Sequence, residues 1–226
     1  MRDLYAFEKT IDLTQNLQNG MPVYPGDPSP SFELYRSIEK DGVNLTKLVM
    51  GSHTGTHLDA PRHFIPNGIG IDQIPPNKLI GEAYVADFSG KKIGSGILAS
   101  DFRPIEKHIG LDDIVVCYTG CSEHWDDNSI LRNYTYLTKD AADYLVSKRV
   151  RAVGIDFLSV EQFEATEAVT HKTLLGSGIF IIESLSNALK RFLGQRILII
   201  CMPIKLKDGD GASSRVVAVP IMDDHT

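Results

Sequence analysis

Residues 138–155 read TKDAADYLVSKRVRAVGI, and this stretch decides the fold class. Ala141, Ala142, Leu145 and Val146 fall at helical spacing and form one apolar stripe. Thr138 stands where it can cap the amino end, and Lys148 and Arg149 suit the negative end of the helix dipole. The segment predicts a helix over 138–149 that feeds a wholly apolar strand at 152–155. The pattern repeats downstream, where a helix predicted from Glu167 to Gly176 leads into a second apolar strand at 178–182, with Gly176 and Gly178 as punctuation. A third helix is expected over 185–192. Helices set between short, continuously apolar strands predict an α/β domain whose sheet is covered on both faces over at least part of its width.

Outward from this core, apolar and β-branched runs bounded by turn residues mark further strands at 32–35, 45–50, 82–88, 114–118, 197–202 and 215–219. The strand-rich amino-terminal half makes the sheet mixed. Proline and glycine are scattered instead of gathering into a linker, and no repeat appears, so residues 1–226 read as a single domain. A hydrophobic content of 42% and a charged content of 23% exclude disordered and coiled-coil readings. A formal charge of −6 leaves no electrostatic footprint for nucleic acid or an anionic membrane; the partner expected is a small-molecule substrate. Residues 1–10 lack a signal-like apolar run, and the longest apolar runs fall far short of the roughly 20 residues a spanning helix needs. The expectation is a soluble, cytoplasmic protein. Its three cysteines, Cys117, Cys121 and Cys201, are too few and too odd in number for a disulfide framework, and read as buried inert thiols in a reducing compartment.

The chemistry concentrates in residues 52–64, SHTGTHLDAPRHF, with three histidines and an aspartate between His53 and His63. Imidazole with carboxylate is the ligand set of zinc, manganese and iron. A helix would place His53 and His57 on one face, but Gly55 lies between them, no glutamate follows His53, and Pro61 breaks the pattern. In an extended segment the side chains alternate, so His57, Asp59 and His63 project to one side. Gly55 permits a bend that folds His53 back towards them. The competing reading is a polar loop whose histidines meet backbone and solvent, and four ligand-type residues in phase weigh against it.

The run HTGTHLDAPRHF resembles the H-x-G-T-H-x-D-x-P-x-H-F signature of the cyclase family, which includes bacterial kynurenine formamidase and isatin hydrolase. The likeness extends over residues 11–14 with 20–27, over the strand and aspartate at 152–156, and over the tail at 210–219. It implies a swivelling β/α/β fold and a metal-dependent hydrolase carrying one or two ions of Zn2+ or Mn2+. It implies a first ion at His53, His57 and Asp59, and a second at Asp59, His63, His171 and Glu183, with Glu183 and His63 as the acid–base groups. It further implies a homo-oligomer, dimer or tetramer. The family's best-known reaction converts N-formylkynurenine to kynurenine and formate. A divalent ion with an open position lowers the pKa of bound water from about 15.7 to near 7 and polarises a carbonyl. Water attack on an amide, formamide, lactam or lactone carbonyl fits such a site, and a catalytically silent relative binding a carboxylated or aromatic ligand is the alternative. Some formamidases carry an extra histidine three residues after the position of His63, where this chain has Pro66, so its proton donor must differ.

Other candidates carry two readings each. Tyr24 and Trp125 are placed to pack an aryl substrate or to complete a core. Asp156, ending a buried strand, is expected to hold hydrogen bonds and not a metal. His108 and His225 are expected at the surface.

Overall fold

The computed structural model describes residues 4–222, so His225 lies outside the described residues. Among the described residues twelve strands and three α-helices are formed: β1 (Ile11–Asp12), β2 (Ser31–Arg36), α1 (Ile38–Asp41), β3 (Leu45–Val49), β4 (His57–Asp59), β5 (Ile80–Asp87), β6 (Gly96–Ile97), β7 (Ile114–Tyr118), β8 (Tyr136–Leu137), α2 (Lys139–Lys148), β9 (Ala152–Ile155), α3 (Val169–Gly176), β10 (Phe180–Glu183), β11 (Arg196–Pro203) and β12 (Gly211–Pro220). An eight-stranded mixed sheet runs β1-β12-β11-β5-β7-β9-β10-β4. Strands β5, β7, β9 and β10 are parallel and the rest antiparallel. This is the mixed α/β domain that residues 138–155 predict.

The sheet closes on itself through β4, which pairs with β10 on one side and β12 on the other. Alternation then sorts the side chains. Ala83, Val85, Ile114 and Val116 join Leu58, Ile182 and Ala212 in one core, while Tyr84, Ala86, Val115 and Cys117 join the second core on the opposite face. The apolar stripe of α2, Ala141, Ala142 and Leu145, together with Leu174 and Leu175 of α3, packs on that second core. Among the described residues no helix is long and apolar enough to cross a membrane.

Three local expectations are corrected. Residues 185–192 form only a 3-10 turn, Asn187–Phe192, and no helix starts at Leu185, because Ser186 is extended at φ −73°, ψ 161°, with the Leu185 and Ser186 amides bonded to the carbonyls of Ile155 and Leu13. The helix expected from Glu167 begins at Val169, since Ala168 sits in the left-handed region at φ +47°. Thr138 occupies the N-cap of α2, but its hydroxyl donates to the Ile97 carbonyl instead of accepting from the helix. His108 is half-buried against Tyr84, its ring stacked at 4.9 Å.

Leu145 is wholly buried in the second core, so Leu145→Ala should cost about 2–5 kcal/mol by removing packing and leaving a cavity. Equilibrium urea unfolding reads this out as a lower midpoint with an unchanged slope.

Candidate metal centre

Strand β4 is short because two residue types end it. Gly55, at φ +66°, turns the chain into it, and a Cβ there would stand 2.7 Å from Leu17 Cδ2. Pro61 ends it by starting the turn Pro61–His63. Leu58 points into the first core, so His57 and Asp59 face the other side, and the register sets Glu183 opposite His57. The extended phase expected to run to His63 therefore stops at Ala60, and His63 reaches the site through the turn.

Around the buried Asp59 the ring nitrogens converge. His53 Nδ1 lies 2.9 Å and His57 Nε2 3.3 Å from Asp59 Oδ1, while His171 Nε2 lies 3.7 Å from Oδ2. Glu183 joins them, with Oε2 3.3 Å from His57 Nε2 and Oε1 3.3 Å from His171 Nε2. The His57 Nδ1–H donates to the Gly55 carbonyl at 2.8 Å, so Nε2 is the ring nitrogen that faces the two carboxylates. Two buried polar atoms here, His57 Nε2 and Asp59 Oδ2, have no hydrogen-bond partner. Unpaired buried atoms of this kind, a ring nitrogen and a carboxylate oxygen, fit a divalent cation.

Ligand atoms of His53, His57 and Asp59 lie within 4.8 Å of one another, as do those of Asp59, His171 and Glu183. Asp59 thus faces both groups. A third such group joins His53, His63 and Asp210. His63 stacks on His53 with centroids 3.9 Å apart, and its Nδ1 lies 3.4 Å from Asp210 Oδ2, so its nearest acid is Asp210 and not the Glu183 of the expected second set.

Asp210 and Glu161 are the site residues that sequence reasoning missed. Asp210 carries no separate signal within the tail, yet its Oδ2 also holds His53 Nε2 at 3.0 Å. Glu161 accepts hydrogen bonds from the amides of Thr170 and His171 and lies 3.3 Å from His171 Nδ1. Their only signal was acidity, which does not separate them from solvated acids.

Apart from Asp59, these groups line one cavity of about 530 Å3, walled by Tyr24, Pro28, Phe64, Leu158, Gln162 and Ala165 among others. Tyr24 is therefore at the site. Trp125 is outside that lining and packs edge-on against Phe157, centroids 5.8 Å apart. Asp156 accepts from the Thr119 amide and hydroxyl, the Gly120 amide and the Ser122 hydroxyl, a hydrogen-bonding role as expected. The three cysteines are buried and free, and burial pushes the Cys201 thiol up to about 12.

Burial disfavours the charged rings of His57 and His171, but the carboxylates of Asp59 and Glu183, with Glu161 on His171, overcome it and raise both to about 10. His53, between Asp59 and Asp210, is raised against its burial to about 9. Burial would raise Asp59, yet His53 and His57 hold it well below the usual carboxylate range. At His63 burial prevails and lowers the ring.

A family model described as "Putative cyclase" matches residues 11–162. A kynurenine formamidase of Bacillus thuringiensis subsp. konkukian (strain 97-27) is 32% identical over 213 residues, covering 93% of this chain and 97% of that protein. The Bacillus anthracis kynurenine formamidase is 32% identical over 215 residues, covering 94% and 98%. Among solved structures, a predicted metal-dependent hydrolase from Bacillus stearothermophilus superposes with TM-score 0.79 at 32% identity, covering 93% of this chain and 98% of that one. An isatin hydrolase bound to the product analogue thioisatinate shares the fold, with TM-score 0.86 at 23% identity and coverage of 95% and 93%.

His57→Ala and Asp59→Ala should each lose bound metal in elemental analysis of the folded protein, whereas Cys117→Ala should retain it; equal content in all three refutes the ligand assignment. Raised above neutrality, His57 and His171 carry protons at pH 7 that a cation must displace. Zinc uptake should therefore release protons and weaken as pH falls. Calorimetric heats that do not vary with the buffer's ionisation enthalpy would contradict this.

Proposed function

Because the chain belongs to the cyclase family, we propose that it is a metal-dependent hydrolase cleaving a carbon–nitrogen bond other than a peptide bond, on an aryl formamide such as N-formylkynurenine. The observation that carries this reading is the gathering of His53, His57, Asp59, His171 and Glu183 into two ligand groups that share Asp59, with His57 Nε2 and Asp59 Oδ2 buried and unpaired. Its relatives at 32% identity named as kynurenine formamidases support the substrate class.

His53, His57 and Asp59 would hold one divalent ion, and Asp59, His171 and Glu183 a second, zinc or manganese, since this nitrogen and oxygen set suits either. When bound, such an ion lowers the pKa of water and polarises a carbonyl oxygen. The chain's own groups supply the rest. Val160 N–H donates to Glu183 Oε1 at 2.7 Å and fixes that carboxylate. Its other oxygen is then placed to take a proton from the attacking water and return it to the leaving nitrogen. His63, whose ring burial biases toward the neutral form and which Asp210 steadies, stands at the cavity lining as the proton carrier in place of the histidine that Pro66 replaces. Phe64, Tyr24 and Leu158 offer apolar surface to an aryl body, and the cavity's size suits a small molecule.

The same reading has the enzyme acting in the cytoplasm as a homo-oligomer, dimer or tetramer. Unpaired buried cysteines support a reducing compartment. The hairpin β2–β3, which leaves Leu34, Tyr35 and Leu48 about three-fifths exposed, supports an assembled form.

Zinc- or manganese-loaded protein should turn over N-formylkynurenine, with isatin and simple lactones as the comparison panel. Glu183→Gln should lower kcat about 10²–10⁴-fold. Stoichiometric ligand binding without turnover of any amide or ester in the panel would overturn the hydrolase reading in favour of a silent binder.

A further inference from the structure

Residues 157–161, the loop after β9, hold two acid-dependent elements of the site at once. Val160 N–H fixes Glu183, and one residue later the Glu161 side chain reaches the start of α3. There Glu161 Oε2 alone meets three donors: the Thr170 amide at 2.9 Å, the His171 amide at 3.2 Å and His171 Nδ1 at 3.3 Å. Helix α3 has no other side-chain cap, because its N-cap residue is Ala168. Glu161 is buried, and the amide of its own residue is held by the Ser159 hydroxyl at 3.1 Å, so the carboxylate has one fixed place.

The consequence falls on His171. An imidazole whose Nδ1–H is committed to a carboxylate presents the Nε2 lone pair, and it is Nε2 that faces Asp59 Oδ2 and Glu183 Oε1. The two backbone hydrogen bonds tie the same carboxylate to the helix that carries His171, so ring tautomer and helix position are set by one oxygen.

We propose that Glu161 is a positioning residue, which locks His171 in the Nδ1–H tautomer and aims its Nε2 at the cation shared with Asp59 and Glu183. The inference rests on the metal-centre reading above and adds to it a residue that binds neither metal nor substrate.

The test is zinc titration of the metal-free, full-length protein against a competing chelator, for wild type, Glu161→Ala, Glu161→Gln and Glu161→Asp. Zinc affinity should fall about 10–100-fold in Glu161→Ala, less in Glu161→Gln, which keeps an acceptor oxygen, and recover in part in Glu161→Asp. Histidine-selective 15N NMR of the zinc-loaded wild type should show His171 protonated at Nδ1 and ligated through Nε2. If Glu161→Ala and Glu161→Gln melt at lower temperature without metal but bind zinc as tightly as wild type, Glu161 is only a helix cap and the proposal fails. Protonation of His171 at Nε2 overturns it equally. A wild type that takes up no zinc overturns both this inference and the metal centre, whereas tight wild-type binding with unchanged variants overturns this inference alone.

Discussion

The carboxylate of Asp59 is the constraint on which the rest of the molecule depends. It is wholly buried, yet the groups around it keep it ionised, and one of its oxygens has no hydrogen-bond partner. An unpaired buried charge costs several kcal/mol, so a fold that puts one at its centre must bring positive charge to it. Three imidazoles do so without metal, and a divalent cation does so more completely. The network of His53, His57, His171, Glu183, Asp210 and Glu161 follows from that requirement: each imidazole near Asp59 is held in turn by another acceptor, so that few of its ring nitrogens are free to rotate away.

Strand β4 is what puts Asp59 there. Three residues long, it is paired on both sides and closes the sheet, so His57 and Asp59 are held by backbone hydrogen bonds to β10 and β12. The closure is tight enough to dictate a glycine. A Cβ on Gly211, the residue of β12 opposite Asp59, would stand 2.6 Å from His53 Cε1 and 2.9 Å from the Leu58 carbonyl. The strand that completes the barrel-like closure can approach only without a side chain, and the residue before it, Asp210, is thereby delivered to His53 and His63.

What was legible in the sequence divides along the range of the interactions. Strands β7 and β9 match their predicted spans, and α2 agrees to within its caps, because apolar runs and helical stripes are written in consecutive residues. The cluster from His53 to His63 was legible for the same reason, and Gly55 for its bend. Helix 185–192 failed because Ser186 is held in extended backbone by bonds from Leu185 and Ser186 to Ile155 and Leu13, partners far away in the chain. Asp210 was missed because it meets His53 across 157 positions of sequence, and Glu161 because its task is defined by a helix that starts eight residues later. His171 and Glu183 share no local pattern with the His53–His63 cluster, and only the family resemblance named them; the register of β4 against β10 gives the physical reason for Glu183.

The burial gradient across the site also separates its tasks. Asp59, His57, His171 and Glu183 have side chains no more than 5% exposed, so they exchange protons with bulk water poorly. His63 and Asp210, at 27% and 43%, form the wet edge of the same network, in contact with the deep cluster through the stacked ring of His53. Charge is concentrated at depth, and the rim is where the network meets bulk water. The two environments sit on different elements: β4, β10 and α3 carry the deep cluster, and the turn after β4 and the loop before β12 carry the exposed pair.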